Sequence, residues 1–327
     1  MLHHHHHHSN SSITSVAYPT IGVVLLGGIA NEKTRTPLHT SAGIAYTDSC
    51  GSIRTESTIY GDSEMHIYFN GTESKDENRS VKSVLERYRN ELQSFFGKKD
   101  VSYSSLNYGI LSGSSDAGAA SIGAILSFID KKNDIHDIEN DIRMISESAG
   151  RSLHGGLTIT WSDGYSAYTE RVLGPEHFNN YAIVGFSFDY PRNPSDTIHQ
   201  NIIKSKRYKQ RTIDADEHAH EIKEMARTDD IEGIFEKAEE DTEEYHSILR
   251  EVGVLVIREN MQKLIEFIKI LRKEFWNSYI VTGGSNVYVI VRRDDLERLI
   301  HIKNTFGSKP KILNVAGPAW IKKVESD

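Results

Sequence analysis

GILSGSSDAGAAS, Gly109 to Ser121, is the stretch on which the fold turns. Its three glycines and four serines lead into the apolar run Ala117 to Phe128, which has the length and composition of a buried helix. The first N–H groups of a helix lack intrahelical partners and the helix dipole is positive there, so an anion docks readily. Gly109, Gly113 and Gly118 let backbone approach phosphate oxygens, while Ser112, Ser114 and Ser115 add hydroxyl donors. Neither GxxxxGK[ST] nor GxGxxG occurs, which excludes a P-loop and a Rossmann fingerprint. A second reading stays open at this stage, in which the small residues cap a tightly packed helix and bind nothing.

Outward from this turn, Val101 to Ile110 alternates as a strand, giving the strand, turn, helix order that backbone phosphate binding requires. Upstream, the β-branched and aliphatic run from Ala17 reads as one buried strand ending at Gly27 and Gly28. Further strands fit Ala42 to Tyr46, Ser52 to Tyr60 and His66 to Phe69, and their short connections predict a largely antiparallel sheet. Ser80 to Phe96 reads as one covering helix, with Val81, Val84, Leu85, Tyr88, Leu92 and Phe95 on one stripe.

Downstream, a helix is expected over Ile135 to Ala149. At its end stand Glu147 and Arg151, four apart and on one face if both are helical, spaced either for an ordinary surface pair or for a functional one. Leu157 to Trp161 and Tyr165 to Leu173 form a hairpin about Ser162, Asp163 and Gly164, and Ala182 to Tyr190 is a strong strand. A helix starts near Ser195, and amphipathic helices follow over Asp214 to Arg227, Ile231 to Leu249 and Met261 to Phe275. Val281 to Val291 returns to strand with a double glycine inside it.

The 327 residues suffice for one large domain or two lobes, and residues 1–12, with six consecutive histidines, read as an expression tag. A formal charge of -8 speaks against a nucleic-acid partner. Cys50 is the sole cysteine, so no intrachain disulfide forms. The longest apolar run, Ile21 to Ala30, is about half a membrane span. A soluble cytoplasmic protein with a small partner follows, in which the sequons at Asn70 and Asn78 are chance. His218 and His220 lie two apart and point about 200° from each other on a helix, so they do not close on one ion, and no metal ligand set is expected.

Two motifs now carry a resemblance. Ser112 to Gly118 is similar to the phosphate loop of the GHMP kinase superfamily, and Arg151 to Trp161, RSLHGGLTITW, resembles the diphosphomevalonate decarboxylase branch of it. Ala17 to Gly28, Phe69 to Gly71, Pro194 to Thr197, Asp241 to His246 and Gly283 to Asn286 agree. From about Ala17 to Trp320 the chain most resembles the archaeal mevalonate 3-kinases of that branch. The resemblance implies an α+β fold whose mixed or antiparallel sheets are covered by helices. An N-terminal lobe over 13–185 would carry the phosphate loop, a helix-rich C-terminal lobe would span 186–327, and the active site would lie in the cleft between them.

It also implies ATP and Mg2+ as cofactors, mevalonate as substrate and a homodimer. Ser112, Gly113, Ser114, Ser115, Asp116 and Gly118 are expected at the nucleotide, Arg151 on the substrate carboxylate, Tyr18 and Thr282 along the substrate pocket, and Arg192 with Ser112 at the transferred phosphoryl group. Against the decarboxylase pattern, Leu25 replaces a lysine, Thr282 an aspartate and Glu147 a glycine. A carboxylate about 4 Å from a phosphate charge costs roughly 4 kcal/mol at an effective dielectric near 20. Glu147 is therefore expected to repel a 5-phosphate and to accept a hydrogen bond from a free 5-hydroxyl. Without the lysine and aspartate, the expected reaction ends at 3-phosphomevalonate. The alternatives are a decarboxylase of a phosphorylated mevalonate and a binding protein on the same fold. Asp116, where the family has alanine, is left with three roles: helix cap, magnesium ligand, or a charge that repels nucleotide.

Overall fold

The computed structural model describes residues 10–75 and 81–326. Fourteen strands and ten α-helices occur among them. The strands are β1 (Asn10–Ala17), β2 (Thr20–Val24), β3 (Ser41–Thr47), β4 (Arg54–Asp62), β5 (Ile67–Phe69), β6 (Thr72–Glu73), β7 (Asp100–Tyr108), β8 (Leu157–Ser162), β9 (Ala167–Leu173), β10 (Tyr181–Ser187), β11 (Asn277–Ile280), β12 (Asn286–Arg292), β13 (Lys309–Val315) and β14 (Trp320–Ser326). The helices are α1 (Val81–Arg87), α2 (Arg89–Phe96), α3 (Ser114–Ile129), α4 (Ile135–Ile142), α5 (Ala149–His154), α6 (Ser195–Ile202), α7 (Tyr208–Arg227), α8 (Ile231–Glu251), α9 (Glu259–Leu271) and α10 (Leu296–Ile300).

Two sheets form, in the orders β14-β1-β4-β7-β5-β6 and β11-β12-β10-β13-β3-β8-β9, the second with β2 added on β3. Every pairing between them is antiparallel except β5 with β7. The run from Ala17, read as one strand, is two: the chain leaves the first sheet at Tyr18 and enters the second after Pro19, whose missing N–H cannot serve a ladder. β1 begins at Asn10, inside the stretch expected to be tag.

The covering helix breaks at Tyr88, whose buried side chain places its hydroxyl on Asp141 at 2.6 Å. Ser80, its expected start, and Asn78 lie outside the described residues. The helix expected over Ile135 to Ala149 stops at Ile142. There Arg143 is drawn inward to Glu139 and to the carbonyl of Ala167, and the chain turns through 143–148 before α5. Val281 to Ser285 is the turn between β11 and β12 and not strand, and Tyr165 stands 93% exposed in the β8–β9 turn. A division at 185/186 would fall inside β10.

Helix α3 is the element that fixes the site. Ala117, Ala119, Ala120, Ile122, Ile125 and Leu126 are fully buried in one core with Ile13, Ile59 and Tyr103 of the first sheet. Small residues permit this close seat, and Ser121 ties it down: the Ser15 hydroxyl donates to its carbonyl at 2.6 Å, and its own hydroxyl donates to the Gly118 carbonyl at 2.7 Å. Two further cores flank the second sheet, one of them against α7 and α8. Among the described residues no helix is long and apolar enough to cross a membrane.

Candidate active site

Gly113 caps the start of α3 with φ at 81°, a left-handed conformation that favours glycine. A Cβ there would lie 2.4 Å from the carbonyl oxygen and 2.6 Å from the nitrogen of Thr20, so the loop seats directly on β2 and admits no side chain. Tyr46 fixes the preceding residue: its hydroxyl donates to the Ser112 carbonyl at 2.6 Å and accepts from the Ser112 N–H at 3.0 Å. The Ser112 hydroxyl meets that of Tyr288.

Asp116 does not cap the helix. Its buried carboxylate accepts from the hydroxyls of Thr20 and Ser146, one on each oxygen. Burial pushes its pKa up, against the nearby Arg151 charge and these two hydroxyls.

One cavity gathers Leu25, Ser112, Gly113, Ser115, Asp116, Glu147, Arg151, Arg192 and Thr282. Arg151 reaches it from α5 past Gly43, where a Cβ would come within 2.3 Å of the arginine Cδ. The guanidinium is buried, and its Nε and Nη2 have no hydrogen-bond partner in the folded chain. Burial lowers its pKa, opposed by the charges of Asp116 and Glu147. A buried donor left unmade costs about 1–3 kcal/mol, more for a charged group, and the planar fork suits a planar anion where the cavity reaches it.

Glu147 is not the helical neighbour of Arg151 that their spacing allows. It sits in the turn before α5, where Arg35 donates to its Oε2 from Nε at 3.0 Å and His199 Nε2 lies 2.8 Å from its Oε1. Burial works against ionisation, yet the His199 hydrogen bond and the Arg35 charge hold this carboxyl far below the usual carboxylate range. The surface-pair reading is thereby overturned.

Ser114, Ser115 and Gly118 line a second cavity with Phe69, Tyr103 and Asn107, and Ser115 borders both. Tyr18 is not brought to either: its hydroxyl accepts from the Trp320 indole at 3.0 Å. Thr20, His199 and Tyr245 also line the first cavity; Thr20 and Tyr245 fall in stretches that carry the resemblance without being singled out, and His199 falls in none. His218 is buried with Nδ1 2.8 Å from Asp241, whereas His220 is exposed beside Asp216, so the two diverge as their spacing predicts. His136, Glu139 and His154 gather their ligand-type atoms within 4.8 Å, but Glu139 already pairs with Arg143 and His154.

Residues 17–170 match the diphosphomevalonate decarboxylase-like N-terminal domain, and residues 193–297 match the mevalonate-3-kinase C-terminal domain. The mevalonate 3-kinase of Thermoplasma acidophilum is 67% identical over 96% of this chain and 99% of its own. The chain belongs to the mevalonate 3-kinase family.

The mevalonate-3-kinase of Picrophilus torridus is 43% identical over 94% of this chain and 97% of its own. Crystal structures of the Thermoplasma enzyme with mevalonate and with mevalonate 3-phosphate and ADP share this fold at TM-scores of 0.95 and 0.94, each covering 97% of this chain and 100% of that one. A mevalonate 5-diphosphate decarboxylase, 14% identical, shares the fold alone at a TM-score of 0.82 over 96% of this chain and 97% of that one. Within this mevalonate 3-kinase family member, Leu25 is held by its backbone: its N–H donates to Asp241 at 2.7 Å and its carbonyl accepts from Arg211 at 2.9 Å.

Proposed function

We propose that this chain transfers the γ-phosphoryl group of ATP to the 3-hydroxyl of (R)-mevalonate, giving 3-phosphomevalonate and ADP, and that the reaction ends there. The observation that carries this reading is the pairing, in one cavity, of a buried guanidinium with two unpartnered donors and an ionised carboxylate. Arg151 takes the C1 carboxylate on its planar fork, and Glu147 accepts from the 5-hydroxyl at the other end of the same molecule. Held at both ends, the substrate presents its tertiary hydroxyl to the start of α3.

The second cavity, on the far side of Ser115, suits the nucleotide, with the first N–H groups of α3 on its phosphates. Arg192, exposed at the cavity mouth, neutralises charge on the transferring group, and Ser112 contacts it. Mg2+ accompanies ATP and draws charge from its phosphates. Asp116, held through both oxygens by Thr20 and Ser146, serves as a buried counter-charge near Arg151. Phosphoryl transfer passes through a loose transition state, so positioning and charge suffice without a strong base. Expelling phosphate and carbon dioxide is a different demand, for which Leu25 and Thr282 bring no charge.

The resemblance to the family also supports a cytoplasmic homodimer, which sedimentation velocity tests. Product analysis tests the reaction itself. With ATP, Mg2+ and mevalonate, 31P NMR is expected to show one phosphate ester on a tertiary carbon. Release of carbon dioxide, or phosphate on the 5-oxygen, would overturn the assignment.

A further inference from the structure

We propose that Arg35 and His199 are the positioning residues that decide which group the site accepts at the substrate's C5 end, and that Arg35 is a latent anion site which Glu147 neutralises. The inference rests on reading Glu147 as the partner of the 5-hydroxyl.

Three strands of geometry carry it. His199, buried at 6% exposure, receives the Gly28 N–H on Nδ1 at 2.9 Å. A backbone N–H can only donate, so Nδ1 bears no proton, and the ring's single proton sits on Nε2, 2.8 Å from Glu147 Oε1. The main chain thus fixes the tautomer that makes His199 a donor to Glu147. Arg35, 1% exposed, donates to Glu147 Oε2 from Nε at 3.0 Å and approaches it with Nη2 at 2.9 Å. The same Nη2 reaches Asp196 Oδ1 at 2.8 Å.

Arg35 brings two nitrogens to Oε2, whereas Oε1 meets His199 and keeps a lone pair for the substrate. Glu147 can accept from a hydroxyl in this frame, but it cannot turn away or take a proton cheaply. A longer-range consequence follows from the charge count. Glu147 and Asp196 both face Arg35, and Asp196 is 37% exposed on its side chain. With Glu147 cut back to glycine, the cavity would open onto a guanidinium whose buried partner is gone. A phosphate on the 5-oxygen would then meet a cation where the native chain presents an anion.

Steady-state kinetics on the full chain, with mevalonate and with mevalonate bearing a 5-phosphate, test this. Glu147→Gly should raise kcat/KM for the 5-phosphate at least about tenfold. Adding Arg35→Met should remove that gain, and adding Arg35→Lys should keep most of it. Should the methionine variant melt below the assay temperature, Arg35→Gln in the same background replaces it. In the native background, His199→Leu should raise KM for mevalonate roughly tenfold to a hundredfold with kcat nearly unchanged, the loss of one hydrogen bond to a charged group. His199→Gln, which restores a donor, should recover most of it.

The failures separate cleanly. If Glu147→Gly leaves the preference between the two substrates unchanged, the reading of Glu147 itself falls. If it changes the preference but the gain survives loss of the Arg35 charge, or His199→Leu lowers kcat and spares KM, Glu147 stands and the inference about its two supports is wrong.

Discussion

On the proposed reading, substrate binding depends most on Arg151. Its fork is pre-oriented by the passage beside Gly43 and lines the cavity, so a carboxylate there would meet a guanidinium already in place. Arg151→Lys keeps the charge but presents one point donor, losing the fork. Steady-state assay should show kcat/KM for mevalonate reduced by roughly a factor of a hundred, the scale of one or two hydrogen bonds to a charged group. At this scale the sequence is readable where chemistry is written locally: Glu147 stands four residues before Arg151, which opens the motif that carries the resemblance. Arg35 was not readable. It meets Glu147 across 112 residues of chain, and nothing near it in sequence marks a buried cation.

Helix α3 and its glycine start show how an element turns composition into function. The contact of Gly113 with the Thr20 backbone locks the phosphate loop to β2, and α3 is then too deeply buried to shift. Gly113→Ala must push those backbones apart and strain a left-handed residue. A melting temperature lower by several degrees and loss of ADP binding in calorimetry are expected, since cavity-free overpacking costs about 1–3 kcal/mol. The strand, turn and helix around this loop were legible because their periods and glycines agree. The break of α4 was not, since the apolar pattern runs on through Ile145 and no glycine or proline between Ile142 and Ala149 marks the turn. Strands β13 and β14 escaped for a related reason: both lie largely exposed, with lysines among their residues, so neither shows a clean alternation.

At the scale of the molecule, charge buried beneath the site governs the response to acid. Burial pushes His39 and His246 down to about 4, and Asp241 is held at about 2 by Arg211 and His218 against its own burial. The histidines are neutral when folded, while in the unfolded chain they take up protons below a pKa of roughly 6.5. The unfolded state thus binds more protons between about 6.5 and 4, and stability falls as pH drops through that window by a few kcal/mol for each histidine. Asp241 adds its own loss lower still, from its unfolded value near 4 down to about 2. Melting temperature should decline steadily as pH falls below about 6.5. A flat curve down to pH 4 would show that these buried groups take up no protons on unfolding. The two-sheet architecture follows from the sequence in outline, but its closure does not. β13 bridges β10 to β3, and β14 returns to pair with β1, both from a C-terminal stretch that reads as polar.

The most direct measurement is a crystal structure of the chain with mevalonate and a non-hydrolysable ATP analogue. The account predicts the C1 carboxylate on the Arg151 guanidinium, the 5-oxygen within hydrogen-bond distance of Glu147, and the 3-oxygen facing the γ-phosphate. A substrate bound in reverse, with its 5-oxygen toward the nucleotide and Glu147 touching none of it, would contradict the account.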